Sequence, residues 1–295
     1  FSATRNRTVL TPQARQGIFR YARTCPTAPP DPNCANGVQT VNILAIGNQN
    51  QLNPITMAIL NNIPDPNNAD AGDGFNTGGY RFNVSGVSNN DKYVARYDHQ
   101  LVKDTPGGSH KFEFVFNYFK NILSPDTFNG LEAPFPGGVN STQGGPRWLL
   151  TGALVSNFGS SVNNVFRVGK QFAPVGFLLE QNPTAPFIGF QGITSPYAGG
   201  GFLSQGRDTQ VWQVSDNVSW TKGNHLIRFG GDYQRIYAYT FNDAGINQTI
   251  TLGTPSHNTG GILDSSFPGS SATIRANARN LFANLTGNLS SSAAT

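Results

Sequence analysis

Charge is scarce in this chain. Asp, Glu, Lys and Arg make up 12% of its 295 residues, about half of the ~25% usual in soluble domains. The few Lys and Arg are scattered singly, so despite a net charge of +4 and a pI near 9.1 no basic run with interleaved aromatics points to a nucleic-acid partner. Cysteine is limited to Cys25 and Cys34, too few ligands alone for a metal site, and the nearest histidine is His99. No stretch approaches the ~18 consecutive apolar residues of a membrane-crossing helix. A bilayer can then be crossed only by a closed barrel, because an open sheet edge goes unsatisfied in lipid. The GxSxG elbow, the P-loop and the Rossmann fingerprint are all missing, so no enzyme activity and no cofactor is expected. His110-Lys-Phe-Glu113 resembles half of a zinc signature, but on a strand His110 and Glu113 face opposite ways. Asp98 and His99 diverge for the same reason.

What the chain has is glycine (34), proline (19), 21 Phe, 9 Tyr and 3 Trp. Mean hydropathy is nevertheless negative, −0.32, as expected if apolar and polar residues alternate. The alternation is clearest in VWQVSDNVSW-TKGN-HLIRFGGDYQRIYAYTF, about 209–241. A reversal at Lys222-Gly223 sets Trp220 opposite His225, Val218 opposite Ile227, Val214 opposite Gly231 and Trp212 opposite Tyr233. One wall then carries Trp212, Trp220, Ile227, Phe229, Tyr233 and Tyr237, and the other Arg228, Asp232 and Gln234. The second arm runs about 15 residues, where strands of soluble domains usually run about 3–10. Long two-faced strands suit a barrel with one face on lipid and one on a wet lumen. Asp216 interrupts the apolar wall, and a β-bulge that turns it inward is one resolution.

Two further hairpins follow the same rule. The first joins about 92–102 to about 109–120. Pairing Tyr97 with Phe112 sets Arg96 opposite Glu113 and Asp98 opposite Lys111, whereas sliding by two opposes Asp98 and Glu113, two like charges. Phe112, Phe114, Phe116 and Tyr118 then share the lipid-facing wall, with Arg96, Asp98, Lys111 and Glu113 on the lumen-facing one. The other joins about 147–157 to about 164–174, giving barrel hairpins at about 92–120, 147–174 and 209–241. Their reversals are short, while the connections at about 121–146 and 175–208 are rich in Gly, Pro, Asn and Ser and exceed the ~12–15 residues common in compact domains. Short turns alternating with long loops match the periplasmic and extracellular sides of a bacterial outer-membrane barrel. The fold class expected is therefore all-β: an antiparallel transmembrane β-barrel fragment, residues 79–295, with long extracellular loops.

The blocks TVLTPQARQGIFR (8–20), LNPITMAILNNIPDPN (52–67), KYVARYDHQ (92–100) and DNVSWTKGNHLIRFGGDYQR (216–235) together resemble the TonB-dependent outer-membrane receptors of the Oar-like group. These often carry a carboxypeptidase-regulatory-like domain ahead of the plug. The blocks keep the family's order over most of the chain. The resemblance implies a 22-stranded barrel of the plugged transporter type, partnered by outer-membrane lipid and, through its plug, by an inner-membrane TonB complex. It also implies uptake or surface handling of a bulky solute. With no signal peptide, no plug-like segment and no terminal aromatic strand, the chain is expected to be an internal piece of a longer protein.

Residues 1–78 lack a long alternating strand and are expected to form a large extracellular loop region with one short helix at about 54–62, opened by Pro54 and stopped by Pro64. Within it, CPTAPPDPNC suits a loop disulfide between Cys25 and Cys34 in an oxidising compartment, reduced thiols being the alternative. A reading from another class is a secreted β-rich adhesin or carbohydrate-binding module, whose aromatic stripes would form a sandwich core.

Overall fold

The computed structural model describes residues 2–25, 35–255 and 258–293. In chain order the elements are β1 (Ser2–Leu10), α1 (Pro12–Arg15), β2 (Ile18–Arg23), β3 (Gly37–Asn42), α2 (Ile43–Ile46), α3 (Pro54–Asn61), β4 (Thr77–Ser85) and β5 (Val87–Thr105). There follow β6 (Gly108–Ser124), β7 (Ser141–Phe158), β8 (Val162–Phe172), β9 (Val175–Leu179), β10 (Phe187–Gly189), β11 (Gln205–Lys222), β12 (His225–Asn242), β13 (Thr249–Leu252), α4 (Ala272–Thr286) and β14 (Leu289–Ala293).

One antiparallel sheet dominates, in the order β12-β11-β8-β7-β6-β5, so strands adjacent in sequence lie adjacent in space. β9 continues β8 as one interrupted strand, pairing with both β7 and β11. The interruption has a simple cause. The β7 register is the same on either side of it, Trp148 to Phe172 and Gly144 to Gly176, but Pro146 and Pro174 sit in the gap and neither has an N–H to donate. Long strands alternate as the sequence suggests, and the three hairpin turns are short, at residues 106–107, 159–161 and 223–224. The connections 125–140 and 180–204 lie at the opposite end.

Two hairpin registers differ from those expected. In β11–β12, Trp220 faces Ile227, Val218 faces Phe229, Val214 faces Tyr233 and Trp212 faces Arg235, because the turn is Gly223-Asn224 and Lys222 pairs with His225. Gly223 has φ +59, the left-handed geometry that glycine takes freely at the first position of a tight hairpin turn. In β5–β6, Tyr97 faces Phe114 and Asp98 directly faces Glu113. Register irregularities between Gln100 and Thr105 let the chain reverse at Pro106-Gly107 and slide the ladder by two. The like charges are tolerated because the neighbouring cations bridge them diagonally. Arg96 Nε lies 2.7 Å from Asp98, and Lys111 Nζ lies 3.2 Å from Asp98 and 2.8 Å from Glu113. Both slips are by two residues, so every side chain keeps its wall.

The other elements build a head at the long-connection end. β1 pairs with β4, which runs into β5 through Gly86. β2 pairs with β3, and β13 lies between β10 and β14. Among the described residues, 1–78 therefore hold β1, β2, β3, the start of β4 and the short helices α1, α2 and α3, rather than one loop with a helix. β1 escapes local pattern reading because Arg5, Asn6 and Arg7 give it no apolar stripe and its partner lies far along the chain. The helix expected at 54–62 forms at Pro54–Asn61, capped by Asn53, whose side chain accepts from the N–H groups of Ile55 and Thr56. α4 starts at the N-cap Ser271 and stops at Gly287. Its Leu281, Phe282 and Leu285 join Val9, Phe19, Ile43, Leu60, Ile262 and Phe267 in one buried core, where Phe19 meets Phe267 edge to face at 5.8 Å.

Candidate functional site

Cross-strand partners share a face, so the ladder can be followed across the whole sheet. Tyr97, Phe114, Gly152, Val168, Val214 and Tyr233 are paired in succession, and the next residues along give Asp98, Glu113, Ala153, Arg167, Ser215 and Asp232. The first row lies on an apolar wall and the second on a polar one. Phe112, Phe114, Phe116, Tyr118, Trp212, Trp220, Ile227, Phe229, Tyr233 and Tyr237 all fall on the apolar wall, as do all three tryptophans. Arg96, Asp98, Lys111, Glu113, Arg228, Asp232 and Gln234 all fall on the polar wall.

Each wall has its own geometry. The polar wall carries a shallow cavity of about 370 Å³ lined by Thr151, Arg167, Gln171, Gln213, Ser215 and Gln234, with Leu149 and Val211 beside them. The apolar wall is left open, with Tyr233 63%, Phe229 59% and Trp212 42% exposed. It is bounded near the short turns by the row Phe158, Val162, Trp220 and Ile227, and toward the head by the row Tyr118, Trp148, Phe172, Gln210 and Tyr237. From Ile227 to Tyr237 is ten residues, within the ~9–11 that a tilted strand needs to cross a bilayer.

Three cations on the apolar wall, Lys170, Lys222 and Arg235, lie against rings. Lys170 Nζ lies 4.5 Å from the Trp212 ring centre and 5.6 Å from that of Trp148, and the Arg235 guanidinium lies 4.4 Å from that of Tyr237, a favourable arrangement for a cation beside an aromatic face. Asp216 stays on this wall. Its ladders to β8 and β12 run without a bulge, and its carboxylate accepts from Asn164 Nδ2 at 2.5 Å. His110 sits on the apolar wall beside Phe158, so it and Glu113 are on opposite faces. Among the described residues no group of three His, Cys, Asp or Glu side chains is arranged to hold a metal ion. Cys25 is disulfide-bonded, and Cys34 lies outside the described residues.

The head carries two polar anchors that the sequence does not single out. Glu132, 1% exposed, accepts from Arg5 Nε at 2.5 Å and from Arg7 at 3.0 Å, fastening the 125–140 connection to β1. Asp73 accepts from the backbone N–H groups of Phe75, Asn76 and Thr77. Burial alone would raise its carboxyl, but these bonds and the Asn76 carboxamide outweigh it and hold the pKa below the ordinary carboxylate value. A lone Glu or Asp in a Gly- and Pro-rich stretch gives no local signal of such a role.

A family model described as an outer membrane beta barrel domain matches residues 2–295. No curated protein and no solved structure matches the chain.

Proposed function

The chain belongs to the outer membrane beta barrel domain family, and on that premise we propose that it forms part of a TonB-dependent receptor of the Oar-like group. It is an all-β outer-membrane barrel protein of the bacterial outer membrane; the receptor role is our reading. The aromatic wall meets lipid and the polar wall lines the lumen. A plug in that lumen couples to the inner-membrane TonB complex, and the protein takes up or handles a bulky solute without chemistry of its own.

One observation carries this reading: across six ribbons of strand the aromatic residues from Phe112 to Tyr118 and from Trp212 to Tyr237 collect on one wall, while Arg96, Asp98, Lys111, Glu113, Arg228, Asp232 and Gln234 collect on the other. A barrel curves around its lumen, and a lumen holding water or a plug tolerates Arg, Asp and Gln where lipid does not. The sandwich-core alternative requires the aromatic stripe to be buried against a second layer, but it is exposed, while the buried core draws on the head. Short turns at one end and long, folded connections at the other support the receptor over a soluble module.

Single-channel recording of the purified full-length receptor in planar bilayers tests the receptor role. A plugged barrel is closed at rest and gives large conductance steps once urea displaces the plug. Large steps without urea would indicate an open pore instead, and the absence of conductance in either condition would contradict a transport barrel.

A further inference from the structure

The head contains a cavity that the barrel reading leaves unused. It encloses about 120 Å³ and is lined chiefly by Leu179, Pro183, Phe187, Pro196, Tyr197 and Phe202. Its walls are built by the two long connections and the end of β9. They are also fixed in place. Ser204 Oγ donates to Asn182 at 2.9 Å and accepts from Leu179 N at 3.1 Å, while Asn182 donates to Asp243 at 3.2 Å and Asn247 to the Pro183 carbonyl at 2.5 Å. Phe187 and Tyr197 lock edge to face at 4.9 Å. The cavity is therefore preformed, and a ligand entering it has little ordering cost to offset.

Two polar residues belong to this apolar lining, the half-buried Tyr197 and the exposed Gln181. The Tyr197 hydroxyl accepts from Ile188 N–H at 3.2 Å, which leaves its own proton free to donate, and burial keeps that hydroxyl protonated well beyond neutral pH. The Gln181 carboxamide at the rim has no hydrogen-bond partner among the described residues. An apolar pocket with a few convergent polar groups is the usual form of a small-molecule site. The size limits the ligand: a closed cavity of roughly 150 Å³ holds one benzene ring, so this one, about 120 Å³ and open to solvent on one side, seats no more than a single ring with its substituent at the mouth. The chemistry limits it too: a sugar has a hydroxyl on most carbons, and two polar groups cannot satisfy them.

We propose that this cavity binds one small aromatic ring, oriented through a polar substituent that accepts from Tyr197 and contacts Gln181. In the barrel reading it would hold an aromatic part of the solute at the outer mouth. The site itself needs neither a lipid-facing wall nor a plug, so it stands or falls separately from the receptor role.

The test uses the protein in lipid nanodiscs, with phenol, benzene and glucose as probes and ligand-observed saturation-transfer NMR as the readout, empty nanodiscs being subtracted. Phenol binds saturably and glucose neither binds nor displaces it. Val139→Trp, at a lip position 41% exposed, weakens phenol and benzene at least tenfold with an unchanged melting temperature. Tyr197→Phe removes one oxygen and keeps the ring, so it tests the site even if the tryptophan disturbs the loop: phenol weakens severalfold and benzene does not. A signal equal to that of empty nanodiscs, displacement of phenol by glucose, or equal affinities in wild type and Tyr197→Phe would overturn the proposal.

Discussion

Replacing Glu132 by Gln removes one charge and almost no volume, which isolates the electrostatics of the head. The wild-type carboxylate is 1% exposed and is held by Arg5 at 2.5 Å and Arg7 at 3.0 Å, guanidiniums about one quarter exposed. Arg7 Nε and Glu132 Oε2 are buried with no hydrogen-bond partner, so the cluster is already short of full satisfaction. Breaking a buried ion pair from one side costs about 3–5 kcal/mol, because the remaining charge is stranded. Water reaches both arginines, and that screening lowers the figure to about 2–4 kcal/mol. Amide exchange across 126–133 and β1 reads it as local opening. At tenfold per 1.36 kcal/mol, rates rise about 30- to 900-fold. Removing all three charges together, Arg5→Met, Arg7→Met and Glu132→Leu, strands no charge, at the loss of the Arg5 bond to the Thr127 carbonyl, and restores most of the protection. Exchange within threefold of wild type in Glu132→Gln, or a triple variant as exposed as the single one, would refute the argument.

Other perturbations address the sheet and the turn at Asp73. Val214 lies six residues from Trp220 in one direction and four from the Trp148–Tyr237 row in the other, about 14 and 10 Å of depth for strands tilted ~45°. Val214→Arg should cost about 2–4 kcal/mol in a liposome unfolding titration, and Gln213→Arg, next along the strand on the polar wall, about 0–1 kcal/mol; equal small costs would mean that neither wall meets lipid. Cysteines at Tyr97 and Phe114, directly opposed, should form a disulfide on mild oxidation, whereas cysteines at Tyr97 and Phe112 are too far apart to do so; the reverse outcome would restore the charge-paired register. Because the folded pKa of Asp73 is depressed, its contribution is full above the unfolded value near 4 and is lost as pH falls below that. Exchange protection of the Phe75–Thr77 amides should therefore drop below about pH 4, and Asp73→Asn should flatten that dependence; protection unchanged through acid would contradict it.

The walls are legible in the sequence because side-chain direction in a strand depends only on parity. Phe112, Phe114 and Phe116 must share a face whatever their partners are, so the wall assignments hold in both slipped hairpins. Register depends on the turn, and there local rules mislead. Avoiding the Asp98–Glu113 opposition looks decisive when only directly opposed pairs are weighed, yet Arg96 and Lys111 neutralise it diagonally, and Gly223 sets its own turn. The head is illegible for another reason. β1 has arginines where a stripe would show, and α4, although capped by Ser271 and packed on Ile262 and Phe267, also buries its apolar face on Val9, Phe19, Ile43 and Leu60, more than two hundred positions earlier, so a local stretch shows little of what holds either in place. The aromatic cavity shares that fate, since Val139 and Tyr197 meet only when two long connections fold together.

The most direct test of the central claim uses the chain's own tryptophans. Trp148, Trp212 and Trp220 all lie on the aromatic wall, so in bilayers of lipid brominated on the acyl chains their fluorescence should be strongly quenched, while acrylamide in the water should quench it little. Subtracting the signal of a variant with all three changed to Phe isolates these residues. Weak quenching by brominated lipid together with strong quenching by acrylamide would place the aromatic wall in water and contradict the assignment of lipid and lumen.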